Sequence, residues 1–251
     1  MNIDPREISA LISAHSDPLA QAGAPRMDMY AGIHKALRAV MAHTLLALGR
    51  MDVADDEEFA SHCERVMDLL DLCRSHLQHE NTFVHTAIEA RAPGAARMLE
   101  GEHGEHEAAI TALAAGVTQL LGCAPAARPM ATQALYRQLA LFIAHNFEHM
   151  HAEETSHNSV LWAHYSDEEL VDVHNALVAS IPPEEMMAIL RWLVPFMSPP
   201  ERTALLADMR AHAPAPVFEA VLASTKPHLT PYEWIKLMRS LDLSAETAPP
   251  Y

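Results

Sequence analysis

Two copies of one short motif carry the chemistry of this chain. His76 and Glu80 form a His-x-x-x-Glu in CRSHLQHENTF, and His149 and Glu153 form another in FEHMHAEETSH. A step of four residues turns an α-helix by about 400°, so the imidazole and the carboxylate stand roughly 40° apart on one face, one turn above the other. Two such pairs on facing helices make half of a dinuclear metal site. Other histidines fall where they would supply the rest: His34 upstream, and His103 and His106 between the two motifs. The candidate ligands are therefore His34, His76, Glu80, His103, His106, His149 and Glu153. One glutamate from each motif would bridge two metals, and each metal would draw histidines from two helices. Mixed nitrogen and oxygen donors with an open position suit iron or manganese better than calcium or magnesium, which prefer oxygen alone. The cysteines lie outside this zone, which makes a thiolate zinc site the weaker assignment.

Each candidate has an ordinary reading as well. A lone inward histidine such as His34 is commonly a satisfied core residue, and a helical His-x-x-x-Glu is commonly a surface pair. The placement of all of them on inward faces of consecutive helices separates this set. His79 sits one residue off the stripe and competes with His76. His145, His151 and His157 read as outer-shell or solvent-facing. His43, His62, His164, His174, His212 and His228 read as surface. Tyr30, one turn before His34 on the same face, reads as a core tyrosine, with a place at the border of the metals as the alternative. A ferritin-like scheme, with two Glu-x-x-His motifs, is the rival. Glu100 with His103 and Glu148 with His151 have that spacing, but Glu148 and His151 are off the apolar stripe and the first helix offers no inward glutamate.

The elements that must position these residues are long amphipathic helices. The spacing predicts helices over about 27–49, 56–90, 95–121 and 130–162. Their stripes are Tyr30, His34, Leu37, Met41, Leu45, Leu48; then Phe59, Val66, Leu69, Cys73, His76, Glu80, Phe83. The third is Leu99, His103, His106, Ile110, Leu113, Val117, Leu120, and the fourth Leu135, Leu139, Phe142, His149, Glu153, Val160. Short connections between four long helices imply an all-α, antiparallel up-down bundle. Polar residues interrupt each stripe in one zone, where burial is costly unless cations neutralise it. Three parts follow: an N-terminal arm over 1–26, the bundle over 27–165, and a C-terminal extension of short helices over 166–251. Ser166 with Glu169 and Ser198 with Glu201 read as capping boxes in that extension. The final SAETAPPY reads as loose.

Composition limits the partners. The chain has 251 residues, half of them hydrophobic and only 6% aromatic, and 33 acidic residues face 17 basic ones for a net charge of −16. That balance argues against nucleic acid and against an anionic membrane. No apolar run reaches spanning length and no signal pattern opens the chain, so a cytoplasmic location is expected. Three cysteines without CxxC spacing do not read as a disulfide framework.

His34 in YAGIHKALR, His76 and Glu80 in HLQHEN, the GEHGEHEAAI segment, and His149 and Glu153 in HMHAEETSHNSVLW together resemble the hemerythrin-like (HHE cation-binding) domain, over about 28–165. The resemblance implies a four-helix bundle with a non-haem di-iron centre and carboxylate bridges that meets O2, NO or peroxide. The oxygen-carrying branch resembles His-x-x-x-His on the third helix and His-x-x-x-x-Asp on the fourth. This chain has His103-x-x-His106 and His149-x-x-x-Glu153, which points away from simple O2 carriage and toward the branch of iron–sulfur repair and iron-sensing proteins. The common Glu-His start of the third-helix motif favours His103 over His106. The expected cofactor is two iron ions, with manganese or a mixed pair as the variant. The expected function is binding or reducing a small ligand in a sensing or stress-related role. A di-metal oxygenase or oxidase acting on an organic substrate is the alternative, and an iron-responsive interaction module is the third reading. The extension is expected to cover one end of the site or to form a homodimer surface.

Overall fold

The computed structural model describes residues 26–243, and these are helical with short turns and no strand among them. Helix α1 spans Ala31–Arg50. α2 spans Asp56–His79 and runs on through a π-helical turn, Glu80–Val84, into α3, His85–Arg91. α4 is Arg97–Leu121. α5 is Arg128–Ala152, again followed by a π turn, Glu153–His157, and by α6, Asn158–His164. The remaining helices are shorter: α7 Asp167–Ser180, α8 Pro183–Phe196, α9 Pro199–His212, α10 Ala215–Thr225 and α11 Pro231–Ser240. Among the described residues no helix is long and apolar enough to cross a membrane.

The helix ends follow local chemistry. The Asp28 carboxylate accepts the Tyr30 and Ala31 backbone N–H groups and starts α1 at residue 31 instead of the expected 27. Asp55 does the same for α2, whose first turn then carries Asp56, Glu57 and Glu58 at the positive end of the helix dipole. Between α3 and α4 the chain turns at Gly94, whose φ of 88° a side chain would resist, and Glu89 accepts the N–H groups of Gly94 and Ala96. The Ser166–Glu169 and Ser198–Glu201 boxes form, and Thr230–Glu233 adds a third.

α1 packs on α2 and on α5, and α4 packs on the same two, so these four helices close a ring around one apolar core. Leu37, Met41, Val66, Leu69, Ile110, Leu139 and Phe142 fill it, with Cys73 among them. The stripe expected for α4 is buried throughout. Leu45, Phe83 and Val160 are only half-buried. For the last two the reason is the π turn. Its i→i+5 bonds, His85 N–H to Glu80 C=O and Asn158 N–H to Glu153 C=O, insert one residue and rotate the inward face onward. Beyond Glu80 the buried residues are Val84, His85, Ala87 and Ile88, and beyond Glu153 they are His157, Asn158 and Leu161.

The extension has its own core, formed by Leu190, Val194, Leu206, Val221, Trp234 and Leu237. Arg202 is buried beside it and donates to the carbonyls of Val194, Pro195 and Met197, satisfying the end of α8. α8 lies along α1, and Lys35 of α1 pairs with Glu201 of α9. A third cluster, Tyr30, Val84, Ile88, Leu161 and Leu170, closes the end of the ring above the π turns. Residues 1–25 of the expected arm and the final SAETAPPY lie outside the described residues. Arg26 is described, and its guanidinium bonds Asp167 and the carbonyls of Trp162 and Tyr165.

Candidate metal centre

Both π turns begin on a glutamate of a His-x-x-x-Glu motif. Glu80 and Glu153 are thereby turned into the middle of the ring, 2% and 0% exposed. Each offers one oxygen to each of two histidine pairs. On one side, His34 Nε2 lies 3.6 Å from Glu80 Oε1 and 3.5 Å from Glu153 Oε2, and His76 Nε2 lies 3.1 Å from Glu80 Oε1. On the other side, His103 Nε2 lies 3.6 Å from both Glu80 Oε2 and Glu153 Oε1, and His149 Nε2 lies 3.2 Å from Glu153 Oε1. The two groups, His34–His76–Glu80–Glu153 and Glu80–His103–His149–Glu153, each keep their candidate donor atoms within 4.8 Å of one another.

The residue after each glutamate orients a histidine of another helix. Glu154 Oε1 meets His34 Nδ1 at 3.1 Å, and Asn81 Oδ1 meets His103 Nδ1 at 2.8 Å. Glu102 Oε2 meets His149 Nδ1 at 2.8 Å. An acceptor on Nδ1 puts the ring proton there and leaves the Nε2 lone pair facing inward, the arrangement that outer carboxylates and carbonyls impose on metal-bound histidines. Arg38 holds both oxygens of Glu154, fixing that carboxylate in turn.

A third group sits one turn further on: His85, Glu153 and His157, all buried. The His85 ring stacks on His103 at 4.6 Å and stands edge-on to His157 at 5.1 Å. Tyr30, fully buried, reaches His157 Nδ1 with its hydroxyl at 3.1 Å. His157, expected as outer-shell or solvent-facing, is thus at the centre, and His85 carried no expectation at all. Their signal is a further histidine after each motif, at 76–80–85 and 149–153–157. For His85 it becomes readable only with the π turn in hand, while His157 repeats the four-residue step of its motif.

Six of the seven expected ligands meet here. His106 is buried next door, edge-on to His149 and Phe142, and belongs to neither four-residue group. His79 faces Ser75 and Glu185, so His76 is the residue on the site. Glu100, Glu148 and His151 are exposed, which leaves the ferritin-like scheme without its ligands. Burial pushes the Cys73 thiol up to about 12, and it stays a core residue.

The electrostatics describe a site built for positive charge. Burial opposes protonation of His34, yet its hydrogen bond to Glu154 and the nearby carboxylates of Glu80 and Glu153 raise its pKa to about 9. Burial likewise opposes protonation of His149, and Glu153 and Glu102 raise it to about 9. Burial pushes Glu80 up, but His76 and His34 hold it well below the carboxylate range. Burial and the Glu80 charge push Glu153 up, and His103 and His149 bring it below. His85 is driven down to about 4, first by burial and then by the charges of His103 and His157. His34 Nε2, His76 Nε2, all four oxygens of Glu80 and Glu153, both nitrogens of His85 and His157 Nε2 are buried without a hydrogen bond. Buried polar atoms are seldom left so, and cations among them would satisfy the set. Two divalent ions carry four charges, and Glu80, Glu153, Glu102 and Glu154 supply four carboxylates.

Two openings flank the cluster. A cavity of about 370 Å³ between α1, α2 and the extension is walled by aliphatic side chains and ends on Tyr30, His76 and Glu80. A cleft of about 280 Å³ on the α4–α5 side is lined by Glu102, Glu105, His106, His145, Glu148 and His149. A larger groove of about 650 Å³, with Glu64, Asp68, Asp71 and Arg191 on its walls, does not touch the cluster.

No family model, curated protein or solved structure matches the chain.

Proposed function

We propose that this chain is a non-haem di-iron protein with an antiparallel, up-down, hemerythrin-like bundle, and that it binds or reduces O2, NO or peroxide in a sensing or stress-related role. The observation that carries the reading is the sharing of Glu80 and Glu153: each directs one oxygen to the His34–His76 side and one to the His103–His149 side. Short connections and the closed ring of α1, α2, α4 and α5 support the bundle. Nitrogen and oxygen donors without thiolate suit iron or manganese.

When bound, a pair of ferrous ions supplies two electrons together to a small ligand. The chain's own residues do the rest. His34 and His76 would hold one ion and His103 and His149 the other, with Glu80 and Glu153 supplying carboxylate oxygens. Glu154, Asn81 and Glu102 fix the imidazole tautomers. With the Tyr30 hydroxyl as donor, His157 carries its proton on Nε2, and His157 and His85 form a polar wall over Glu153 where a small ligand can be hydrogen-bonded. The cluster of Tyr30, Val84, Ile88 and Leu161 excludes bulk water from that end.

Elemental analysis of untagged protein, followed by anaerobic ferrous reconstitution and exposure to O2 or NO, tests this. Two equivalents of iron per chain and a new visible absorption are expected. An unchanged visible spectrum on exposure ends the small-ligand reading, and one equivalent of zinc in place of iron ends the di-iron one. A di-metal oxygenase or oxidase acting on an organic substrate is the second reading, favoured by the apolar cavity that ends on His76 and Glu80.

A further inference from the structure

The cavity between the ring and the extension has the form of a binding site. Its walls come from separate parts of the chain: Met29 and Ile33 at the start of α1, Leu177 on α7, Ile189 and Leu193 on α8, and Met197 after it. Its inner end is His76 and Glu80. Among His34, His76, His103 and His149, His76 keeps the most exposure, 12% of its side chain against 4% or less for the others. Its Nε2 is buried without a hydrogen bond. The outer rim is polar: His79 Nδ1 lies 3.7 Å from Glu185 Oε1, Ser75 donates to Glu185, and Asp28 and His174 stand nearby.

We propose that this cavity binds one uncharged, largely aliphatic organic molecule with a single polar end, and holds it against the His76–Glu80 edge of the metal centre. Size, polarity and charge support that choice. An enclosed apolar cavity of roughly 150 Å³ stays dry and accepts benzene. One of about 370 Å³ has room for about ten to fifteen heavy atoms on that scale. Aliphatic walls give water few partners and give an alkyl chain many contacts. Glu80, Glu185 and Asp28 on the lining, within a chain of net charge −16, disfavour a carboxylate or phosphate head group. Methionine and leucine walls adapt to flexible chains better than to one rigid shape. The His79–Glu185 rim can hydrogen-bond one hydroxyl or carbonyl. Binding in the cavity stands on these contacts alone; the approach of that molecule to metal rests on the di-iron reading.

Titration of the full metal-free chain with 1-aminonaphthalene, a small uncharged dye whose emission shifts to the blue in apolar surroundings, tests the site. Saturable binding of one dye per chain is expected, displaced by decan-1-ol and far less by decanoate. Gly32 lies on the lining, and a Cβ there meets nothing within 4 Å. Gly32→Phe should therefore block the cavity without disturbing α1 and weaken the dye by about tenfold or more. Gly101→Phe, equally free of contacts but off the cavity, should not. Val178→Glu, at an exposed position on the rim, is a second block that needs no repacking. Absence of saturable binding, dye affinity unchanged in both blocked variants, or displacement by decanoate as strong as by decanol overturns the proposal. Cobalt(II) loading separates the two readings. Decan-1-ol should alter the visible cobalt bands of the wild-type chain and not of Gly32→Phe. Dye binding without cobalt uptake defeats the metal reading alone. Cobalt uptake without dye binding, or cobalt bands indifferent to decanol, defeats the cavity's assignment beside the metal.

Discussion

The His34–His76 side and the His103–His149 side of the cluster have the same inner donors and opposite surroundings. Each has one histidine from a His-x-x-x-Glu helix, one from a neighbouring helix, and an oxygen of each shared glutamate. Around the first pair, Glu154 is clamped by Arg38 and the adjoining space is aliphatic. Around the second, Glu102 is 41% exposed at the side chain and the adjoining space holds Glu105, Glu148, His106 and His145. Equal donors make the two positions similar in what they can hold. If the cluster holds metal, unequal surroundings would make the two positions differ in what reaches them: neutral organic molecules on one side, cations and protons on the other.

The largest expected effect tests the equality. Glu153→Gln removes an oxygen charge from both positions, so affinity for both ions should fall by more than about 100-fold, and metal content should drop from two equivalents toward none. His76→Ala and His149→Ala should each cost one ion and leave the other. Metal analysis after equilibrium dialysis reads all three. A Glu153→Gln chain that keeps one tightly held ion would show that the glutamate serves a single position, and the comparison would fail at its root.

The four inner histidines and both glutamates were legible because helical period and metal chemistry ask for the same spacing. His34, Cys73, Ile110 and Phe142 fall on their stripes and are buried as the period requires. What was not legible lies past each π turn. A stripe extended at 3.6 residues per turn runs from Glu80 to Phe83 and bypasses His85, which stands five residues after Glu80, whereas His157 continues the four-residue step of His149 and Glu153 and was passed over for Val160. Nothing in ENTFV or EETSH marks a wide turn by propensity. Its cause in each place is tertiary: a buried glutamate facing histidines from other helices fixes the face before the turn, and packing of Val84, Ile88 and Leu161 fixes the face after it. Asn81 and Glu154 were hidden for the same reason, since their partners are distant in sequence. The cavity could not be read at all, because its walls come from 28 to 205.

The proton load of the metal-free site gives the next effect. His34 and His149 have pKa values of about 9 against about 6.5 in an unfolded chain. A raised folded value stabilises fully below the unfolded one and is lost as pH climbs through the folded one. The metal-free protein should therefore lose stability between pH 6.5 and 9, by an upper bound on the order of 3 kcal/mol per imidazole. Below pH 6.5 the lowered values of His85 and His106, about 4 each, act in the opposite sense and remove stability as they are forced to charge. Thermal melts should peak near neutrality on the acid side. Metal requires neutral imidazoles, so affinity should rise over the same 6.5–9 interval. A metal-free chain whose melting temperature is flat across that interval would show that protons do not occupy the place assigned to cations.

Orientation gives a smaller effect, and one that differs by side. Glu102→Gln weakens the hold on the His149 tautomer and should cost roughly tenfold in affinity at the second position. Glu154→Gln should cost a similar factor at the first, and it also leaves Arg38 without its bidentate partner, so it should lower melting temperature more than Glu102→Gln does. Two-site fits of metal titrations, with melts of the metal-free variants, separate these outcomes. Equal losses at both positions from either variant would mean that the two halves are oriented as one unit.

The smallest effect concerns entry. If the α4–α5 cleft is the route for cations, Glu105 and Glu148 act by long-range attraction without touching the ions. Both are exposed and line the cleft. Replacing both with glutamine should slow metal uptake about two- to fivefold at low ionic strength and leave the dissociation rate alone. At about 1 M salt, where the screening length falls to roughly 3 Å, the difference should vanish. Glu185→Gln, on the rim of the opposite cavity, removes one charge from the aliphatic side. Stopped-flow uptake of cobalt(II) by the three proteins at two salt concentrations compares the routes directly. Slower uptake in Glu185→Gln than in the cleft double variant would reverse the assignment, and the aliphatic cavity would then have to admit ions as well as the organic molecule.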